Sequence, residues 1–96
     1  MITRIVKLSI SSHHCDDFIA FFNEQKATIN NFKGCIHVEL LKEEESENIF
    51  FTYSHWENNQ ALENYRNSTI FESIWKKTKT FFNDRPEAWS LNKIDL

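Results

Sequence analysis

Tyr65, Arg66, His37 and His55 are the side chains of this sequence best suited to hold or move a proton. Tyr65 lies in the run Trp56-Glu-Asn-Asn-Gln-Ala-Leu-Glu-Asn-Tyr-Arg-Asn-Ser-Thr-Ile-Phe71. On a helix it follows Ala61 and Leu62 by one turn and faces inward with them. Its hydroxyl can orient a hydroxyl group of a bound molecule; the alternative is a core tyrosine whose hydroxyl reaches a carbonyl or water. Arg66 can pin an oxyanion or end its helix in solvent. Histidine titrates near neutral pH, so His37 or His55 is a candidate general base, and each is equally readable as a hydrogen-bonded histidine at a sheet or subunit interface. Trp56, Trp75 and Trp89 offer ring faces to an aromatic ligand or to the core, whereas Phe22, Phe51 and Phe71 read as core. The run His13-His14-Cys15-Asp16-Asp17 looks like a metal cluster, but neighbours on a helix point apart and only His13 and Asp17 share a face. No metal site is expected.

These residues must be positioned by elements that the periodicity makes legible. Residues 2–10 alternate, with Ile2, Val6, Leu8 and Ile10 on one face and Thr3, Ile5, Lys7 and Ser9 on the other, which predicts a strand. Ser11-Ser12 offers an N-cap, and Cys15, Phe18, Ile19, Phe22 and Ile29 follow helical spacing, predicting a helix over 13–30. A second strand is expected over 35–42, with Ile36, Val38 and Leu40 opposite Cys35, His37, Glu39 and Leu41. Residues 49–56 carry aromatics on both faces, as a strand buried on both faces does. Asn58 caps a short helix through Arg66. A further helix begins at Ser68 or Thr69, with Thr69 and Glu72 at capping-box spacing and Phe71, Ile74, Trp75, Thr78 and Phe82 as its buried stripe. A last strand is expected over 88–95. The order βαββαβ, with the second helix broken, predicts an α+β ferredoxin-like sandwich: a four-stranded antiparallel sheet with helices on one face.

Composition excludes several function classes. Ninety-six residues suit one domain, and the net charge of −3 argues against nucleic acid or an anionic membrane as partner. One Gly and one Pro leave no Gly-rich phosphate loop, so no nucleotide cofactor held in the familiar ways is expected. Cys15 and Cys35 match no zinc or C-x-x-C spacing and read as buried thiols. The alternating, charged N-terminus lacks a signal peptide's apolar stretch, and a soluble cytoplasmic protein is expected. Helices cover only one face of such a sheet. The other face still carries large apolar side chains, Ile5 and Leu41 among them, so a homodimer packed sheet to sheet is expected.

The segment from Trp56 to Phe71 resembles the one that marks the antibiotic biosynthesis monooxygenase (ABM) family of dimeric α+β barrels. The resemblance spans nearly the whole chain: Gly34-Cys35-Ile36 opening the second strand, an aromatic third strand ending at Trp56, Ala61-Leu62 in the short helix, then Ser68 and Phe71. It implies an ABM-like domain over 1–96. In many quinol-type members the helix break reads roughly His-x-x-Ser-x-His-Phe; here Tyr65 and Ile70 stand in place of the histidines, and Ser54 stands where many members have Glu. Haem-degrading members place an Asn, a Trp and a haem-ligating His at positions corresponding to Val6, Tyr65 and Trp75, so haem degradation is not implied.

The resemblance implies a cofactor-independent monooxygenase acting on a small phenolic or quinol-like molecule, with a non-catalytic ligand-binding or structural homodimer as the alternative. No cofactor is expected. The substrate itself would reduce oxygen in a dry pocket. That pocket is expected between the sheet and the broken helix, with Val6 on its floor and Phe22, Trp56, Tyr65, Arg66, Phe71 and Trp75 around the substrate. Tyr65, His37 and His55 are the catalytic candidates.

Overall fold

The computed structural model of the chain describes residues 1–96. Four strands, β1 (Ile2–Ser9), β2 (Cys35–Lys42), β3 (Ile49–Trp56) and β4 (Glu87–Leu91), form one antiparallel sheet in the order β2-β3-β1-β4. Helices α1 (Cys15–Asn30), α2 (Asn59–Arg66) and α3 (Thr69–Thr78) complete an α+β ferredoxin-like fold. The central pair, β1 and β3, runs in register from Ile2 opposite Trp56 to Ser9 opposite Ile49. Strand alternation therefore sends Ile2, Leu8, Phe50, Ser54 and Trp56 to the helix side, where all five are buried. The core divides into one cluster around Trp56, Leu62, Val38 and Ile29 and another around Leu8, Ile10, Phe18, Phe50 and Phe81.

Capping explains the helix break. Asn58 accepts a hydrogen bond from the Ala61 amide at 2.8 Å, and Ser68 accepts one from the Phe71 amide at 3.1 Å while donating its own to the Tyr65 carbonyl at 2.6 Å. Ser68 thus starts α3 and closes α2 with one hydroxyl. Ser68 is the N-cap, so Thr69 and Glu72 do not form the expected capping box. Gly34, at φ 90°, is tucked under Ala61, and its carbonyl accepts from the Glu57 amide at 2.8 Å. A side chain there would meet the Ala61 methyl as well as the strained backbone, so this glycine ties the β2 entrance to α2.

Several expectations are corrected. The first helix opens with a 3-10 turn over Ser12–His14, and no serine hydroxyl caps it; the Ser11 carbonyl instead accepts from the His14 amide. That turn brings His14, not His13, within 4.0 Å of Asp17. A bulge between Cys35 and His37 makes Ile36 the extra residue. Cys35 consequently packs with the Trp56 cluster, and Ile36 is 51 % exposed, the reverse of simple alternation. Phe82 lies beyond a 3-10 turn (Lys79–Phe81) that ends α3, yet still packs edge-on against Trp75 at 5.5 Å. The last strand is shorter than expected and exposed throughout: it is an edge strand paired only with β1, and no helix packs over it as α1 packs over β2.

Candidate active site

A partly open cavity of about 330 Å³ lies between the helix side of the sheet and the α2–α3 break. Its floor is strand: Arg4, Val6 and Leu8 from β1, Val38 from β2, and Thr52, Ser54 and Trp56 from β3. Its walls are helical, with Phe18, Phe22 and Ile29 from α1, Leu62, Tyr65 and Arg66 from α2, and Phe71, Ile74, Trp75 and Thr78 from α3. Pro86, Glu87 and Ala88 close the β4 side.

An aromatic series runs along one wall. Trp56 stacks on Tyr65 at 4.9 Å, Tyr65 meets Phe71 edge-on at 5.2 Å, and Phe71 stacks on Trp75 at 5.8 Å. The helix break makes this possible: Ser68 turns the chain so that Tyr65 at the end of α2 and Phe71 at the start of α3 come face to edge. Trp56 is 1 % exposed, and its indole N–H donates to the Ser54 hydroxyl at 3.0 Å. Ser54 thereby satisfies a buried donor that would otherwise be stranded.

The Tyr65 hydroxyl behaves differently. It takes part in none of the side-chain hydrogen bonds, yet no fully occluded side-chain polar atom lacks a partner, so the hydroxyl is not fully occluded, and its residue lines the cavity. Burial raises its pKa above the ordinary tyrosine value, with a smaller push from neighbouring Cys35. At neutral pH Tyr65 is therefore an un-ionised donor and acceptor, not a phenolate base. Cys35 is itself raised by burial, which makes it an inert thiol.

Val6, Phe22, Trp56, Tyr65, Arg66, Phe71 and Trp75 all line this one cavity. His37 and His55 do not. They lie on β2 and β3 opposite one another in register, on the sheet face away from the helices, with ring centroids 6.4 Å apart. His55 Nδ1 shares a 3.0 Å hydrogen bond with Thr3 Oγ1, and His37 Nε2 lies 3.4 Å from Glu39 Oε2. A full sheet thickness separates these groups from Tyr65. Arg66 holds Glu63 at 2.9 Å on the exposed side of α2 while reaching the cavity rim. No three His, Cys, Asp or Glu side chains converge as a metal would require. The cavity lining contains no His, Cys or Met, and its one side chain of a haem-ligating type, Tyr65, is kept un-ionised by burial, so the lining fits haem iron poorly. Arg4, Thr52 and Glu87 are the polar lining residues that sequence reading passed over. Arg4 was legible as the single break in the apolar face of β1.

The sequence matches the family model for antibiotic biosynthesis monooxygenase over residues 1–77. The chain belongs to the ABM family. The fold agrees throughout its length with solved structures. The crystal structure of an antibiotic biosynthesis monooxygenase superposes with a TM-score of 0.90 at 13 % identity, covering 99 % of this chain and 100 % of that one. A conserved protein from Methanosarcina mazei Go1 gives 0.90 at 18 % identity, covering 98 % and 94 %. A candidate antibiotic biosynthesis monooxygenase from Bordetella bronchiseptica gives 0.87 at 20 % identity, covering 97 % and 96 %. At such identities the likeness is one of fold. No curated protein matches this ABM sequence. No helix is long and apolar enough to cross a membrane.

Proposed function

We propose that this protein is a cofactor-independent monooxygenase that oxidises a small phenolic or quinol-like molecule in the cavity, acting as a cytoplasmic homodimer of one ABM-like domain over residues 1–96. The observation that carries the reading is that Tyr65, whose hydroxyl makes no hydrogen bond to the protein, lines a cavity otherwise walled largely by aromatic and aliphatic side chains. A phenolic ring of matching size would stack along the Trp56–Tyr65–Phe71–Trp75 wall, where water is displaced and the ring is held in one plane.

The chemistry asks little of the protein. A phenolate gives one electron to O₂, leaving a phenoxyl radical and superoxide. These join at a ring carbon as a peroxide, which takes up a proton and then eliminates water. The net change is phenol plus O₂ to quinone plus water, with one oxygen atom in each product and the substrate supplying all four electrons. Tyr65, un-ionised, donates a hydrogen bond to the substrate oxygen as it bears charge. Ser54 is committed to the Trp56 indole and holds that ring in place.

Homodimerisation is supported by the sheet face away from the helices, where Ile5, Phe51 and Tyr53 are only partly covered and Leu41, Trp89 and Leu91 are 44, 42 and 45 % exposed. A second reading, a non-catalytic small-ligand-binding dimer, draws on the absence of histidine from the cavity. Oxygen uptake with a panel of phenols and quinols, with no flavin or metal added, separates the two. Turnover is expected with at least one of them, and Tyr65→Phe is expected to lower kcat/KM by about tenfold or more while leaving the fold intact, the loss of one hydrogen bond in the transition state. An unchanged rate in that variant makes Tyr65 a packing residue. Binding of the panel without oxygen uptake selects the second reading.

A further inference from the structure

We infer that the ligand of this cavity carries an anionic oxygen group, a carboxylate or an ionised phenol, and that Arg4 selects it. The inference rests on the proposed reading of the cavity as a small-molecule site and narrows the class of molecule it takes. Strand alternation puts Arg4 among Ile2, Val6 and Leu8 on the helix face of β1, a face that is otherwise apolar. Its register partners there are both serines, Ser54 on β3 and Ser90 on β4. A polar strip, Ser54–Arg4–Ser90, therefore crosses an apolar floor.

The guanidinium is poorly satisfied for such a position. Its one side-chain hydrogen bond is Nη1 donating to Ser90 Oγ at 2.9 Å, and it has no carboxylate partner. The nearby acid, Glu63, is taken by Arg66. Glu87 lines the cavity as well, but it is exposed, makes no ion pair with Arg4, and sits in register with Lys7, a position on the other face of β1. Burial and the Arg66 charge both disfavour the Arg4 cation, and Glu63 offsets them in part. A half-buried guanidinium with free donors and a second cation at the rim is an arrangement that an incoming anion completes. Across the cavity the aromatic wall takes the ring of the same molecule.

Calorimetric titration with 2-naphthoate and its neutral isostere 2-naphthamide tests this. The carboxylate is expected to bind about tenfold or more tightly than the amide, the preference to shrink in high salt, and the gap to collapse in Arg4→Met. Arg4→Lys, which keeps the charge and loses the fork, is expected to retain a reduced gap. Titration with 4-nitrophenol on either side of its own ionisation shows whether a phenolate gains as much as a carboxylate or whether the site reads carboxylates alone. Equal affinities for naphthoate and naphthamide in the wild type, or a gap that persists in Arg4→Met, overturn the role of Arg4 while leaving the cavity as a ligand site. Failure of both naphthalenes to bind overturns the cavity reading and this inference together.

Discussion

The two faces of the sheet are built by the same four strands and have opposite characters. Toward the helices, Leu8, Val38, Phe50 and Trp56 are buried, and the space left between them and the α2–α3 break is the cavity. Toward solvent, apolar and polar side chains alternate across the strands: Glu39, Tyr53, Ile5 and Trp89 form one cross-strand row, and His37, His55, Thr3 and Leu91 form the next. The polar groups differ in the same way. On the open face they answer one another, Thr3 with His55 and His37 with Glu39. On the covered face the Tyr65 hydroxyl and most of the Arg4 donors have no protein partner. A side chain whose bonding is complete contributes structure, whereas one held in a cavity with capacity to spare can bind something else. Proton-moving chemistry in the residue type does not decide between these roles; the face it stands on does.

The largest expected effect lies on the covered face. Trp56→Ala removes the largest fully buried side chain and strands the Ser54 hydroxyl, and should cost about 3–5 kcal/mol in urea unfolding at any protein concentration. Phe51→Glu tests the open face, since Phe51 lies between Leu41 and Lys7 in its cross-strand row. There the loss should appear as a dimer constant weakened about thirtyfold or more, roughly 2 kcal/mol, in sedimentation equilibrium, with helical content retained. A wild-type protein that sediments as a monomer at micromolar concentration breaks the comparison, because the open face would then need no cover.

Alkaline pH sharpens the contrast at Tyr65. Its folded pKa lies above the unfolded value of 10.0, so its contribution is fully present below about pH 10. As pH rises past that point the unfolded chain releases the proton and the folded chain does not. Stability then falls by up to ~1.4 kcal/mol per pH unit until the folded pKa is reached. Cys15 and Cys35 are also raised and add to the fall, so the measurement is the difference between wild type and Tyr65→Phe, which should lack the tyrosine share. Smallest is Ser68→Ala, which removes the cap that turns α2 into α3 and should cost about 1 kcal/mol. If that variant also widens the Tyr65–Phe71 approach, ligand affinity should drop with it, whereas an open-face variant of equal stability should leave affinity unchanged.

Much of this molecule is legible by period alone. Alternation of two placed β1 and β3, helical spacing placed α1 and α3, and Asn58 and Ser68 marked the α2–α3 break through side-chain oxygens that compete locally for backbone amides. Those signals are local, and they also brought Val6, Tyr65, Phe71 and Trp75 to one side of the fold. Alternation fails where the chain inserts a residue: the bulge at Ile36 reversed the sides of Cys35 and Ile36, and nothing in the residue types announces it. It also leaves open which face of β2 and β3 the helices cover at His37 and His55. Only the pairing of β1 with both β3 and β4 decided that Arg4 stands between two serines without an acid, because its neighbours lie 50 and 86 positions away in the chain. Sequence determines what each residue can do; the long-range register determines which of its bonds are already made.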